Sequence, residues 1–143
     1  MPTTASHVSV TAPLDAVWDL LAEYAEISRW ASNVSQSSLL TAGAPGPGAV
    51  RRVQVGRAAL RETVTTWEPG RSLAYRLQGL PAIVTAASNT WTLQPDGAGT
   101  AVTLTSEAQT RGGPLVARLV GRQLGKAVET LVRDLAAELE RQP

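Results

Sequence analysis

The sequence predicts an α+β fold in which an antiparallel meander of strands packs against one long C-terminal helix. Three observations carry this expectation. Turn signals at Gly43–Gly48, Gly56-Arg57, Pro69-Gly70, Gly79–Pro81 and Asp96–Gly99 separate segments rich in Val, Thr, Leu and Trp, the pattern of strands joined by hairpins. After Gly112-Gly113-Pro114, Leu115, Leu119, Val128, Leu131, Val132, Leu135 and Leu139 recur at helical spacing. When the strands are registered through their turns, their side chains separate into one apolar and one polar face.

Taken in order, the first element is a short strand at Val8 and Val10, which alternate with His7 and Ser9. Leu14, Val17, Trp18 and Leu21 then mark one face of an amphipathic helix. Pro13 suits its first turn, and Asp15 suits the positive end of its dipole. Residues 26–30 form a second short helix, and strands follow near 34–41, 49–55, 58–67, 72–78, 82–94 and 100–110. The last helix runs to about Arg141, long enough at 1.5 Å per residue to span about 40 Å. Gly121 and Gly125 interrupt it, each at about 1 kcal/mol of helix propensity. They let the helix lie close to a backbone, bend, or leave space beneath it.

Length and composition bound the rest. A chain of 143 residues reads as one domain, 1–143, able to bury a core without disulfides or metal. With 43% hydrophobic and 17% charged residues it is globular, and a net charge of +1 argues against a dedicated nucleic-acid binder. The absence of cysteine removes thiol nucleophiles, iron–sulfur clusters and Cys-ligated zinc, and a lone histidine, His7, removes a multi-histidine metal centre. No signal peptide or membrane-spanning stretch is evident, so a soluble cytoplasmic protein is expected, with no membrane insertion. There is no phenylalanine, yet there are four tryptophans.

Registration through the turns tests the sheet. A two-residue type II′ turn at Gly56-Arg57 pairs Val55 with Ala58, Val53 with Leu60 and Arg51 with Glu62. A turn at Pro69-Gly70 sets Thr66 against Leu73, Val64 against Tyr75 and Glu62 against Leu77, while Trp91 and Leu93 match Leu104 and Val102. One face then carries Val53, Val55, Leu60, Val64, Leu73, Tyr75, Leu77, Trp91, Leu93, Val102 and Leu104. The other carries Arg52, Gln54, Arg61, Arg76 and a series of threonines, as expected for a sheet with one side on a core. Arg51 and Glu62 break the pattern by facing each other on the apolar side. Trp67 has the opposite parity to Val64, so it points outward or marks a bulge.

The chain resembles the START-like helix-grip superfamily, also called SRPBCC, which includes the polyketide cyclase/dehydrase family and the birch-pollen-allergen-like proteins. The resemblance runs from Val8 to about Leu139. It is carried by Ala12–Leu21, Trp30, Gly46–Gly48, the stretch Trp67–Tyr75, Trp91-Thr92-Leu93 and Gly99-Thr100. These residues are architectural and specify a fold more than a function. The resemblance implies a curved antiparallel sheet, two short helices and a long C-terminal helix over the concave face. It also implies a cavity between sheet and helix for an apolar small molecule, a polyketide-like or lipid metabolite, with no cofactor. Some members catalyse ring closure or dehydration instead.

The candidate chemistry lies on the inner face. Arg51 and Glu62 either orient a substrate carbonyl and move its proton, or form a cross-strand ion pair at the cavity mouth. The Tyr75 hydroxyl either relays a proton or is an amphipathic core group. Val53, Leu60, Val64, Leu77 and Leu104 are expected to line the ligand space, with Asn89 and Trp91 beside them. Trp30 is expected to be a packing residue near the entrance, or to join the ligand-binding set. His7 falls on the solvated face and the helix-borne carboxylates Asp15, Asp19, Glu23 and Glu26 on a polar face, so neither joins the site. Two readings follow: a binding module without chemistry, or a cofactor-free polyketide cyclase/dehydratase using Arg51, Glu62 and Tyr75. The partner in both is a small molecule, and the chain is expected to be a monomer or homodimer.

Overall fold

The structure, a computed structural model, describes residues 2–142. In chain order it contains β1 (Thr3–Val10), α1 (Leu14–Ala22), a 3₁₀ helix (Tyr24–Arg29), β2 (Gln36–Leu39), β3 (Val50–Val55), β4 (Ala58–Glu68), β5 (Ser72–Gln78), β6 (Val84–Asp96), β7 (Gly99–Thr110) and α2 (Gly113–Arg141). All seven strands form one antiparallel sheet in the order β1-β7-β6-β5-β4-β3-β2. The expected α+β architecture is present: a curved sheet gripping the long helix, with the short helices packed at one end. Strand β1 is longer than its two valines indicate, because Thr3–Ser6 pair with β7 without supplying large apolar side chains. No helix among the described residues is long and apolar enough to cross a membrane.

The turn chemistry sets the register as expected over most of the sheet. Gly56 has φ +57° while no non-glycine residue among those described has positive φ, as a type II′ Gly-Arg turn requires. Val55 pairs with Ala58, Val53 with Leu60 and Arg51 with Glu62. The expected Thr66–Leu73 pair is not formed. A bulge between Val64 and Thr66 shifts the register, so Trp67 faces Leu73 and Thr66 faces Ala74. One extra residue reverses the alternation, which brings the out-of-parity Trp67 back onto the core.

The bulge completes a pattern that uses every aromatic side chain of the protein. Its four tryptophans and two tyrosines form three edge-to-face pairs, each joining the N-terminal helical segment to the sheet. Trp18 meets Trp67 at 5.3 Å, Tyr24 meets Tyr75 at 5.9 Å, and Trp30 meets Trp91 at 6.1 Å. Such pairs add about 0.5–1.5 kcal/mol each beyond their area burial. They fasten the short helices, which are otherwise too short to be stable.

Helix α2 departs from its expected face at one end. Its C-terminal half buries Val128, Leu131, Val132, Leu135 and Leu139, but Leu115 and Leu119 are 79% and 57% exposed. In the N-terminal half Val116, Val120 and Leu124 turn inward instead. They lie at four-residue spacing in line with Val128, and Leu115 and Leu119 are rotated off that line by one residue, about 100°. The two helix glycines do not widen a cavity. A Cβ on Gly121 would sit 3.5 Å from the Pro2 side chain and one on Gly125 3.7 Å from Thr4 Oγ1, both ordinary contacts, so the two glycines face the start of β1 and not the cavity.

This packing predicts opposite behaviour at the two ends of α2. Leu135→Ala, at a fully enclosed position, should lower stability by about 2–5 kcal/mol. Leu115→Ala should change it by less than about 0.5 kcal/mol. Urea unfolding measures both, and equal losses would contradict the placement of the helix.

Candidate functional site

The centre of the molecule is polar. Arg51, 2% exposed, enters from β3 with its guanidinium carbon 3.8 Å from the Tyr24 ring centroid and 4.7 Å from that of Tyr75. Its Nε and Nη2 both reach Glu62 Oε1, at 2.8 and 2.7 Å, and its Nη1 donates to the Tyr24 carbonyl at 2.9 Å. The Tyr24 hydroxyl donates to the Glu62 carbonyl at 2.8 Å, closing the cluster. A buried cation is costly unless a counter-charge and hydrogen bonds replace its water. Here a carboxylate, a carbonyl and two aromatic faces do so. The pair is therefore enclosed, not a solvated bridge at a rim.

Glu62 meets Arg51 through one carboxylate oxygen, Oε1. Oε2 takes part in none of the hydrogen bonds found among the described residues. Among those residues, Asn33 Oδ1 is the one enclosed side-chain polar atom without a partner. Oε2 is thus not sealed in, and Glu62 lines a cavity of about 320 Å³. Tyr75 lines it too. Its hydroxyl oxygen accepts from Asn89 Nδ2 at 3.4 Å and Trp91 Nε1 at 3.3 Å, so both lone pairs are engaged and its hydrogen is left to donate.

The cavity has its place because of rows across the sheet. Tyr75 pairs with Asn89, Asn89 with Ser106, and Ser106 with Thr4, which makes one polar row. In the next row Ala87 opposes Ala108, and two methyl groups leave empty the space that larger residues fill elsewhere. On the other side, Trp67, Leu73, Trp91 and Leu104 form a solid apolar row that closes the space. Val120, Leu124, Val128 and Leu131 of α2 roof it, and Leu80, Pro81 and Ile83 line it at the β5–β6 connection. The loop carrying Asn33 and Val34 is tied to α2 by Ser32, whose N–H and hydroxyl both donate to Asp134 Oδ2 at 2.7 Å.

The residues expected from the sequence divide accordingly. Val53, Leu60, Glu62, Tyr75, Leu77 and Asn89 line the cavity. Val64, Trp91 and Leu104 belong to the packed core beside it, since the apolar row beyond Tyr75 is filled by tryptophan. Trp30 is buried against Trp91 rather than placed at an entrance. Arg51 lies behind the cavity wall, packed against the two tyrosine rings and in contact with Glu62. His7 is exposed, as expected. Sequence reasoning missed Tyr24, Asn33 and Ser106. Two of them carried a signal: Tyr24 extends the Val17–Leu21 helical face, and Ser106 follows Val102 and Leu104 at the same parity.

Both tyrosines are held protonated. Burial raises the Tyr24 hydroxyl well above its ordinary value of about 10, and the Arg51 charge only partly opposes it. Burial raises Tyr75 as well, reinforced by the Glu62 carboxylate. For Arg51, burial works against the charge, but Glu62 and the tyrosines outweigh it and the pKa is raised. A group whose folded pKa is raised contributes stability that is present below its unfolded pKa and lost as pH rises through the folded value. Above about pH 10 stability should therefore fall by up to about 1.4 kcal/mol per pH unit for each tyrosine. The protein has no other tyrosine. Phenolate absorbance should appear together with loss of circular dichroism, whereas a folded protein titrating at ordinary tyrosine pH would contradict the burial.

A family model described as polyketide cyclase / dehydrase and lipid transport matches residues 1–140. Among curated proteins no relative was found. The Zhui aromatase/cyclase from a Streptomyces species superposes with a TM-score of 0.82 at 22% identity, over 97% of this chain and 93% of that one. A Thermobifida fusca protein gives 0.83 at 27% identity, over 99% and 95%. A START superfamily protein from Mycobacterium smegmatis gives 0.76 at 17%, over 97% of each. With the match spanning nearly its whole length, the chain belongs to the polyketide cyclase/dehydrase and lipid transport family.

Proposed function

We propose that the protein binds an apolar small molecule, a polyketide-like or lipid metabolite, between the curved sheet and α2. The observation that carries this is the cavity itself: about 320 Å³, within the range of small-molecule sites, with mostly aliphatic walls and a few fixed polar groups. A core packed to ordinary density leaves no such space. The family description and a structural neighbour named as an aromatase/cyclase support a small-molecule role. On this reading the chain is one domain acting in the cytoplasm, as a monomer or homodimer and without nucleic acid or cofactor.

One observation favours a second reading, a cofactor-free cyclase or dehydratase. Glu62 Oε2 and the Tyr75 hydrogen both lack a partner among the described residues and belong to cavity-lining residues. Tyr75 would donate to a substrate carbonyl while Glu62 takes the proton from the adjacent carbon, the pairing that enolisation needs. Arg51 would act as a positioning residue that fixes the carboxylate.

Native mass spectrometry of protein isolated from its own host should show a co-purified apolar molecule. Ala108→Phe, which fills the space at the Ala87–Ala108 pair, should remain folded and lose it. A filled variant that retains the molecule would place binding elsewhere, and wild type that takes up no apolar probe would overturn the proposal. If the bound molecule is turned over, Tyr75→Phe should slow that step by about 10²–10⁴-fold; an unchanged rate would remove Tyr75 from the chemistry.

A further inference from the structure

We infer that the cavity selects neutral ligands carrying a hydroxyl group and rejects free carboxylates, with Glu62 Oε2 as the discriminating atom; this rests on the ligand-binding reading above. Glu62 is the sole charged side chain lining the cavity among the described residues. The nearest cation, Arg51, lies outside the lining and is 2% exposed. Its nitrogens are committed, Nε and Nη2 to Oε1 and Nη1 to the Tyr24 carbonyl. A ligand carboxylate entering this space would lose its water and gain no counter-charge. It would also meet a carboxylate oxygen that can only accept.

A hydroxyl meets the reverse situation. Oε2 has no donor among the described residues, and a ligand O–H supplies one, giving a charge-assisted bond of the stronger class. Glu62 cannot turn away, because Oε1 is held by two nitrogens of a guanidinium that itself packs against two tyrosine rings and donates to the Tyr24 carbonyl. Its backbone is fixed as well, since the Glu62 carbonyl accepts from the Tyr24 hydroxyl. Tyr75 complements it as a forced donor, because Asn89 and Trp91 occupy its lone pairs. A second oxygen on the ligand, a carbonyl or ether, would find its partner there. The chemical class is thus a hydroxylated apolar molecule, a phenol, enol or lipid alcohol, as opposed to a free fatty acid.

Three probes of nearly equal shape test this at neutral pH by isothermal titration calorimetry: 2-naphthol, 2-methoxynaphthalene and 2-naphthoate. The naphthol should bind at least tenfold more tightly than either of the others. Methoxynaphthalene equal to naphthol, or naphthoate equal or tighter, would overturn the inference and leave the cavity reading standing. Failure of all three to bind would count against the cavity reading itself and remove the basis of the inference. In Glu62→Gln, whose amide can donate, the disadvantage of naphthoate should shrink at least tenfold, and an unchanged ratio would contradict the role of Oε2. Should that variant fail to fold, the wild-type probe ratios decide, and Tyr75→Phe should keep the naphthol-over-naphthoate preference that Glu62 sets.

Discussion

The rest of this structure is arranged around a guanidinium taken out of water. Arg51 packs against two tyrosine rings that meet edge to face, and binds one oxygen of Glu62. Each of its neighbours has a second duty. Tyr24 binds the Glu62 backbone and holds the 3₁₀ helix against the sheet, Tyr75 heads the polar row, and Glu62 faces the cavity. Removing solvent from an ion pair costs several kcal/mol per ion, so the cluster is not explained as a source of stability alone. It fixes the direction of two polar groups, an acceptor and a donor, in a mostly apolar space.

Emptiness beside this cluster follows from residue size along neighbouring rows. Where the row carries Trp91 and Leu104, the gap between sheet and helix is filled. Where it carries Ala87 and Ala108, it is not. The three aromatic pairs make the difference sustainable, because they pin the short helices to the filled end and leave the other end to α2 and the β5–β6 connection. A scaffold rigid at one end and hollow at the other can hold a ligand with little rearrangement, which lowers the entropic cost of binding.

Much of this was legible in the sequence because strand register is a short-range problem. Gly56-Arg57 specifies its turn, the turn specifies that Arg51 meets Glu62, and the pairing is present as expected. The bulge at Thr65 is legible only through the parity of Trp67, which leaves an outward side chain as the alternative, since an inserted residue reverses parity without changing composition. The exposure of Leu115 and Leu119 is hidden from the sequence for a similar reason, because hydrophobic spacing does not say which of two adjacent stripes faces the sheet. Whether an inner-face residue lines space or fills it depends on its neighbours in the row. Val64, Trp91, Leu104 and Trp30 were therefore grouped with the true lining residues.

The dependence of the whole arrangement on the buried pair is most directly tested by comparing Arg51→Met with the double variant Arg51→Met/Glu62→Leu in urea unfolding. The single change strands a carboxylate and should cost about 3–5 kcal/mol. Removing both charges should recover most of that loss, while the preference of the cavity for hydroxylated ligands disappears. A single variant as stable as wild type, or a double variant that still prefers 2-naphthol to 2-methoxynaphthalene, would contradict the account.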